Sequence, residues 1–460
     1  MGSKKNAWLK FDDTKKEEMF SFCEGYKKYI SDCKTERESI KEAISLAESK
    51  GYRDLKNVIS AGKSLKAGDK VYYNNMDKSL ALFLIGSESI ESGMRIIGSH
   101  VDSPRLDLKP NPLYEDSELS LMETHYYGGV KKYQWVTIPL ALHGVVVKKD
   151  GTKIDVVVGE EETDPVVMVS DLLVHLASEQ QQKKATEVIA GEDLNILVGS
   201  MPLEGEEKEA VKANILKLLK EKYDFEEEDF MSAEIEIVPA GKARDLGLDR
   251  SMVAGYGHDD RICAYTSLLA LLETESVKKT SVVLLVDKEE VGSIGATGMQ
   301  SRFFENAVAE LMDRVGEYSE LKLRRALANS KMLSSDVTAA FDPNYAGAYE
   351  KKNSAFFGKG LAFAKYTGAR GKSGCNDANA EFVAWLRNVM DESDVSYQMA
   401  ELGKVDQGGG GTIAYILAEY GMEVIDCGVA LQNMHAPWEV ASKVDIYETM
   451  RGYKAFLIAE

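Results

Sequence analysis

The chain has 460 residues, enough for two or three domains, and its 44% hydrophobic and 28% charged residues describe a globular protein, not a disordered or collagen-like one. With 56 Lys plus Arg against 75 Asp plus Glu, the net charge is −19, a field that repels polyphosphate and anionic lipid and argues against nucleic acid and membrane partners. No run approaches the ~18 uninterrupted apolar residues of a membrane span; the nearest, 136–147, contains Pro139 and His143.

In chain order, the start MGSKKNAWLK carries charge without an apolar run behind it and reads as an unprocessed cytoplasmic start. Residues 13–50 place Met19, Phe20, Cys23, Tyr26, Tyr29 and Ile30 at helical spacing, which predicts an opening helix pair with a core-facing aromatic stripe. β-prone runs follow at 70–74, 80–85 and 94–97, the last expected to end at Gly98-Ser99-His100. From 111 to 249 the texture changes: β-rich runs at 136–147, 154–158 and 194–198 surround an acidic helical stretch at 204–230, as in an inserted second domain. After 253, apolar strands at 281–286, 331–334 and 422–429 alternate with helical segments at 303–327 and 379–389. That alternation predicts an α/β sheet with helices on both faces. The five cysteines are odd in number and contain no C-x-x-C, so neither a disulfide framework nor a cysteine metal site is expected, and the compartment reads as reducing.

Chemistry-bearing residues gather at predicted strand ends. His100 sits in His100-Val101-Asp102, where a carboxylate two residues on can orient a ligating imidazole. His258-Asp259-Asp260-Arg261 precedes a helix-like stretch, where paired aspartates alone would read as caps. Glu289-Glu290-Val291-Gly292-Ser293 follows the apolar strand SVVLLV, at the edge where open α/β sheets place their sites. Asp336 in Ser-Ser-Asp and His435 in Asn-Met-His complete the set. Two imidazoles with several carboxylates suit a borderline divalent metal such as zinc, and suffice for a pair of ions sharing one carboxylate. Gly368-Ala369-Arg370-Gly371-Lys372-Ser373 fails the Walker A spacing, and Gly408–Gly411 is not a dinucleotide fingerprint but can admit a close-lying ligand.

The ordered set His-x-Asp, Asp-Asp-Arg, Glu-Glu-Val-Gly-Ser, Ser-x-Asp and Met-His-x-x-x-Glu resembles the aspartyl aminopeptidase and vacuolar aminopeptidase I family of dinuclear zinc exopeptidases, over essentially the whole chain. Tyr127-Gly128-Gly129 with Trp135, the run from Asp171 to Leu176, Asp342-Pro343-Asn344-Tyr345 and Gly410-Gly411-Thr412-Ile413 add to the match. The resemblance implies an α/β/α sandwich catalytic domain of the zinc exopeptidase kind from residues 1–110 and 250–460. It also implies an inserted β-rich dimerisation domain at 111–249, with dimers assembling into a tetrahedral dodecamer. Two divalent ions per chain are implied, zinc foremost and cobalt or manganese as alternatives. His100 and Asp336 would hold one, Glu290 and His435 the other, with Asp259 bridging, Glu289 as general base and Asp102 behind His100. A cis peptide is implied at Asp259-Asp260. His175 would reach a neighbouring subunit's active site, the alternative being a packing histidine in a helix.

The implied reaction is release of an N-terminal amino acid from a peptide. Two ions polarise the scissile carbonyl and acidify a water, and Glu289 carries its proton to the leaving amine. Lys365, Lys372, Gly410 and Gly411 are the implied substrate-binding positions. The sequence departs from the aspartyl-preferring pattern at Ala339, where those relatives carry His, and at Arg370-Gly371-Lys372, where they carry Gln-Arg-Tyr. The expectation is therefore a broader aminopeptidase. The alternatives are a strictly Asp/Glu-specific aspartyl aminopeptidase and a metal-dependent deacylase on the same kind of site.

Overall fold

The computed structural model describes residues 5–368 and 371–460, which form two compact units: 5–102 with 243–434 and 439–460, and 103–242 with 435–438. Ala369 and Arg370 lie outside the described residues, as do the first four. No helix among the described residues is long and apolar enough to cross a membrane.

The first unit opens with the helices Asp13–Asp32 and Glu36–Ser49. Asp12 caps the first by accepting from Lys15 N–H, and Thr35 with Glu38 forms a reciprocal capping box on the second. Met19, Cys23, Tyr26 and Ile30 face inward at three- and four-residue intervals, so one stripe of the first helix is core.

A nine-stranded sheet organises this unit, in the order Arg53–Asp54, Lys70–Asn75, Ser79–Leu84, Ser281–Val286, Arg95–His100, Lys331–Ser335, Glu423–Gly428, Leu361–Ala364 and Tyr397–Met399. Four central strands, Ser281–Val286, Arg95–His100, Lys331–Ser335 and Glu423–Gly428, run parallel. All six residues of Ser281–Val286 are buried, as expected of a strand covered on both faces. Its side chains divide by alternation between two cores. Val283 and Leu285 pack with Ile40, Ala43, Leu268 and Phe456, while Val282, Leu284 and Val286 pack with Leu55, Phe304, Val308 and Leu417. Helices therefore cover both faces of the sheet.

Two expectations shift. The β-prone run predicted at 94–97, with its end at Gly98-Ser99-His100, is a strand that takes in all three of those residues, held by pairing of Val286 with His100. Gly98 permits this because a Cβ there would stand 2.7 Å from Met332 Cε and 3.0 Å from Ile413 Cδ1. The helical stretch 303–327 is two helices, Phe303–Arg314 and Glu320–Ala328, because Gly316 turns the chain at φ 78° and Ser319 caps the second by accepting from Lys322 N–H.

A five-stranded sheet in the same unit joins Arg244–Leu246, Met252–Gly255, Glu439–Ser442, Ala430–Gln432 and Thr338–Ala339. It sets Glu439 opposite Gly255, four residues before Asp259.

The second unit is built on a seven-stranded antiparallel sheet. Trp135 is fully buried there, and the Arg105 guanidinium lies 3.9 Å from the Tyr127 ring centroid and 3.2 Å from Glu236. The helix Ala210–Tyr223 buries only Val211 and presents a charged face to solvent. Residues 174–176 form an exposed turn, so His175 is not the packing histidine of a helix.

Candidate metal centre

The carboxyl ends of three adjacent parallel strands converge on one place in the first unit. Arg95–His100 lies between Ser281–Val286 and Lys331–Ser335, which enter the sheet on opposite sides of it. The sequence order reverses there, which opens a crevice beyond the strand ends. His100 ends its strand, Glu289 and Glu290 follow Val286 after a left-handed turn at Lys288 (φ 70°), and Asp336 follows Ser335. The fourth contribution is the start of the helix His258–Leu272, where Asp259 and Asp260 leave helical geometry and their shared peptide is cis.

His100 is 2% exposed. Its Nδ1 lies 3.0 Å from the Asp102 carbonyl oxygen. A carbonyl only accepts, so Nδ1 carries a hydrogen, which leaves Nε2 as the nitrogen that can bind a cation once it gives up its proton. Nε2 faces Asp259 at 3.2 Å, Glu289 at 3.7 Å and Asp336 at 3.8 Å. The His100 backbone N–H donates to Asp260 (3.3 Å).

Asp102 is fully buried and positions the two glutamates, its Oδ1 accepting from Glu289 N–H and its Oδ2 from Glu290 N–H, both at 3.2 Å. Glu439 plays a similar part on the other side, accepting from Asp259 N–H at 3.1 Å while 1% exposed. Neither Asp260 nor Glu439 is assigned a role by sequence reasoning. Both stand in quoted motifs, Asp260 in Asp-Asp-Arg and Glu439 at the end of Met-His-x-x-x-Glu, but nothing local marks Glu439 as an acceptor for Asp259.

Among the described residues, two overlapping trios bring their ligand atoms within 4.8 Å of one another: His100, Asp259 and Glu290, and His100, Asp260 and Asp336. So much negative charge out of water is costly unless neutralised. Burial, reinforced by neighbouring Asp336 and Asp259 and opposed by His100, pushes the Asp260 carboxyl far above the carboxylate range. Burial likewise raises Asp336 against the pull of His100, and pushes Glu289 up to about 8 with Asp336, Asp102 and Asp259 adding to it. Burial opposes charge on His100, but Asp102, Asp259, Asp336 and Glu289 outweigh it and hold the imidazolium well above the ordinary histidine range. The cluster therefore holds its protons more tightly than free carboxyls do, and a cation would remove the need for them. One imidazole nitrogen, oriented from behind and facing several carboxylate oxygens, is the donor set zinc takes.

The other predicted positions have surroundings of their own. His435 groups with the second unit, where its Nδ1 donates to the Gly129 carbonyl at 2.8 Å. Lys365 and Lys372 both pair with Asp377, at 3.4 Å and 2.8 Å, and Lys372 also stands 3.9 Å from the Tyr366 ring centroid. The Lys372 ammonium, with Lys365 behind it, holds Asp377 below the usual carboxylate range against a small effect of burial. A Cβ on Gly410 or Gly411 would meet nothing within 4 Å, so both border open space, and Gly410 N–H donates to the Thr367 carbonyl at 3.1 Å. Thr412 donates to Asp426 (2.6 Å), tying this glycine loop to the strand beside Lys331–Ser335. Arg370 is outside the described residues.

A family model described as aminopeptidase I zinc metalloprotease (M18) matches residues 29–457. The chain is 67% identical over 454 residues to a probable M18 family aminopeptidase 1 of Clostridium acetobutylicum, covering 98% of each. It is similar to the crystal structure of an M18 family aminopeptidase from Thermotoga maritima, with TM-score 0.95, 45% identity and 99% of each chain covered. The mApe1 dodecamer of S. cerevisiae shares the fold at 20% identity and TM-score 0.77, over 95% of this chain and 96% of that one.

Proposed function

This chain belongs to the M18 family of zinc metalloproteases, the aminopeptidase I family, and from that premise we propose that the carboxylate ring around His100 is the metal centre at which it releases N-terminal residues. It is a zinc-dependent aminopeptidase, a hydrolase of peptide bonds. The observation that carries the assignment is His100 itself, tied through Nδ1 to Asp102 and presenting Nε2 to three carboxylates. On this reading His100 and Asp336 would hold one ion and Glu290 a second, with Asp259 shared between them. His435 as a further ligand rests on the family resemblance alone. Bound zinc supplies a Lewis acid for the scissile carbonyl and acidifies water.

The chain's own residues do the rest. Asp102 holds the Glu289 and Glu290 backbones in register, so the two adjacent side chains can divide the work. Glu289, 14% exposed and not a member of either ligand trio, is the base that accepts the proton of the attacking water and passes it to the departing amine. Glu439 fixes the Asp259 backbone and therefore the bridging position.

The nine-stranded sheet with its two helical layers is read as the α/β/α sandwich of a zinc exopeptidase, and the second unit as the dimerisation domain. Supporting the latter, Leu172, Leu173, Val174 and Leu176 around His175 are 45–67% exposed in that unit, an apolar run suited to a second copy. Dimers assembling into a dodecamer follow the assembly of the S. cerevisiae relative. Five free cysteines accord with a cytoplasmic setting.

We further read the specificity as broad, with neutral N-terminal residues cleaved at least as well as Asp or Glu. Ala339 offers no donor, and Asp377 already engages both lysines. The test of the activity is aminoacyl-anilide hydrolysis by metal-stripped protein before and after zinc is restored. Turnover that survives full stripping, or that does not return with zinc, would sink the metal-centre assignment.

A further inference from the structure

We infer that Asp377 is a specificity-determining residue, occupying the two lysines that an acidic substrate side chain would need; the inference rests on the reading of Lys365 and Lys372 as substrate-binding residues.

The geometry is that of a shared counter-ion. Asp377 Oδ1 engages Lys365 at 3.4 Å and Oδ2 engages Lys372 at 2.8 Å, so both carboxylate oxygens are committed, one to each ammonium. Lys372 is held a second way, over the Tyr366 ring at 3.9 Å, while the Tyr366 hydroxyl donates to Glu401 at 2.6 Å. Tyr366, Lys372 and Glu401 line a cavity of about 200 Å³ together with Lys404, Gly408 and Gly409, and Asp377 and Lys365 reach it only through Lys372, the one member of the triad in its wall.

The strand that leads to Lys365 lies two places along the sheet from the one that leads to Asp336. Lys365 follows Ala364, which pairs with Asp426, and Asp426 pairs with Ser334, two residues before Asp336. The Asp336 charge is felt at Asp426, where it adds to the effect of burial. Thr367 and Thr412 fasten the glycine loop to the same segment and strand.

A substrate carboxylate entering here must displace Asp377 from its lysines or share them with it against like-charge repulsion. A neutral side chain faces neither demand. All three groups are 43% exposed, so each pair is a modest, solvent-screened one. Freeing two such pairs should raise the preference for acidic residues by about three- to tenfold, not by orders of magnitude.

The test ranks kcat/KM for Asp-, Glu-, Leu- and Met-anilides on the zinc-loaded full chain, for wild type, Asp377→Asn, Asp377→Ser, Asp377→Glu, and Asp377→Asn combined with Lys365→Met and Lys372→Met. Both charge-removing variants should raise the acidic-to-neutral ratio by about three- to tenfold, chiefly through KM. Asp377→Glu should restore the wild-type ratio, and lysine removal should abolish the gain. The gain should also shrink between ~0.05 and ~0.5 M salt, as screening requires and as a packing defect would not. An unchanged ratio in both Asn and Ser variants, or a gain that persists without the lysines, overturns the inference. The wild-type ratio is a separate readout. An acidic preference of about tenfold or more there overturns the broad-specificity reading, while the change on Asp377→Asn still decides the role of Asp377.

Discussion

Replacing Asp102 with Asn keeps the shape of the side chain and tests whether the two glutamates and His100 depend on its charge. The wild-type carboxylate accepts one backbone N–H on each oxygen, from Glu289 and Glu290 at 3.2 Å, and its Oδ1 stands 3.3 Å from His100 Nδ1. An amide has one acceptor oxygen, so one of the two N–H groups must face an NH₂ in a fully buried setting. A hydrogen bond to a charged group contributes about 1.5–3 kcal/mol net, and the lost bond should loosen whichever glutamate it held. On the metal side, residues behind a ligand typically contribute 10–100-fold in affinity or activity, roughly 1.4–2.7 kcal/mol, the same scale reached independently. Asp102→Asn should therefore weaken zinc binding by about 10–100-fold, measured by competition with a calibrated chelator, and lower kcat even at saturating zinc because Glu289 is no longer held in register. Wild-type zinc affinity together with wild-type kcat in a folded Asn variant would show that Asp102 is a spacer and that the positioning argument is wrong.

Glu289→Gln should retain zinc while losing about 10²–10⁴-fold in turnover, whereas Glu290→Gln should lose zinc as well; equal metal content in the two variants would refute the division between base and ligand. Zinc binding should release protons, because burial raises the Asp260, Asp336 and Glu289 carboxyls, the last to about 8, and neighbouring carboxylates raise His100 in the metal-free cluster. A cation competes with those protons, so affinity should rise with pH on the approach to the Glu289 value of about 8, and calorimetry in buffers of different ionisation enthalpy should register the released protons; a pH-independent affinity would contradict this. His175→Ala subunits mixed with Glu289→Gln subunits should regain activity in verified mixed oligomers if His175 serves a neighbouring active site, and no recovery would remove it from that role.

The strands of the central sheet were legible because both their faces are buried. Ser281–Val286 needs apolar residues at every position, and such a run stands out in a sequence. The candidate chemistry at the strand ends was legible for a related reason: His100, Glu289-Glu290 and Asp336 are polar residues three or four positions past the last apolar residue of a buried run, where open α/β sheets place their sites. Where the long helical stretch breaks was carried locally too, by Gly316 and Ser319, but periodicity alone passes over such caps. The end of the strand at His100 was not local, since it depends on pairing with Val286, far away in the chain. Asp102 accepting from residues 289 and 290, Glu439 accepting from Asp259, and Asp377 holding Lys365 and Lys372 are likewise decided only in three dimensions. Sequence specifies which groups can ionise, donate or pack, because those are properties of single residues and short patterns. Which acceptor each donor finds, and which charge is left for a ligand, depends on contacts across long separations and on how much water the fold removes around them.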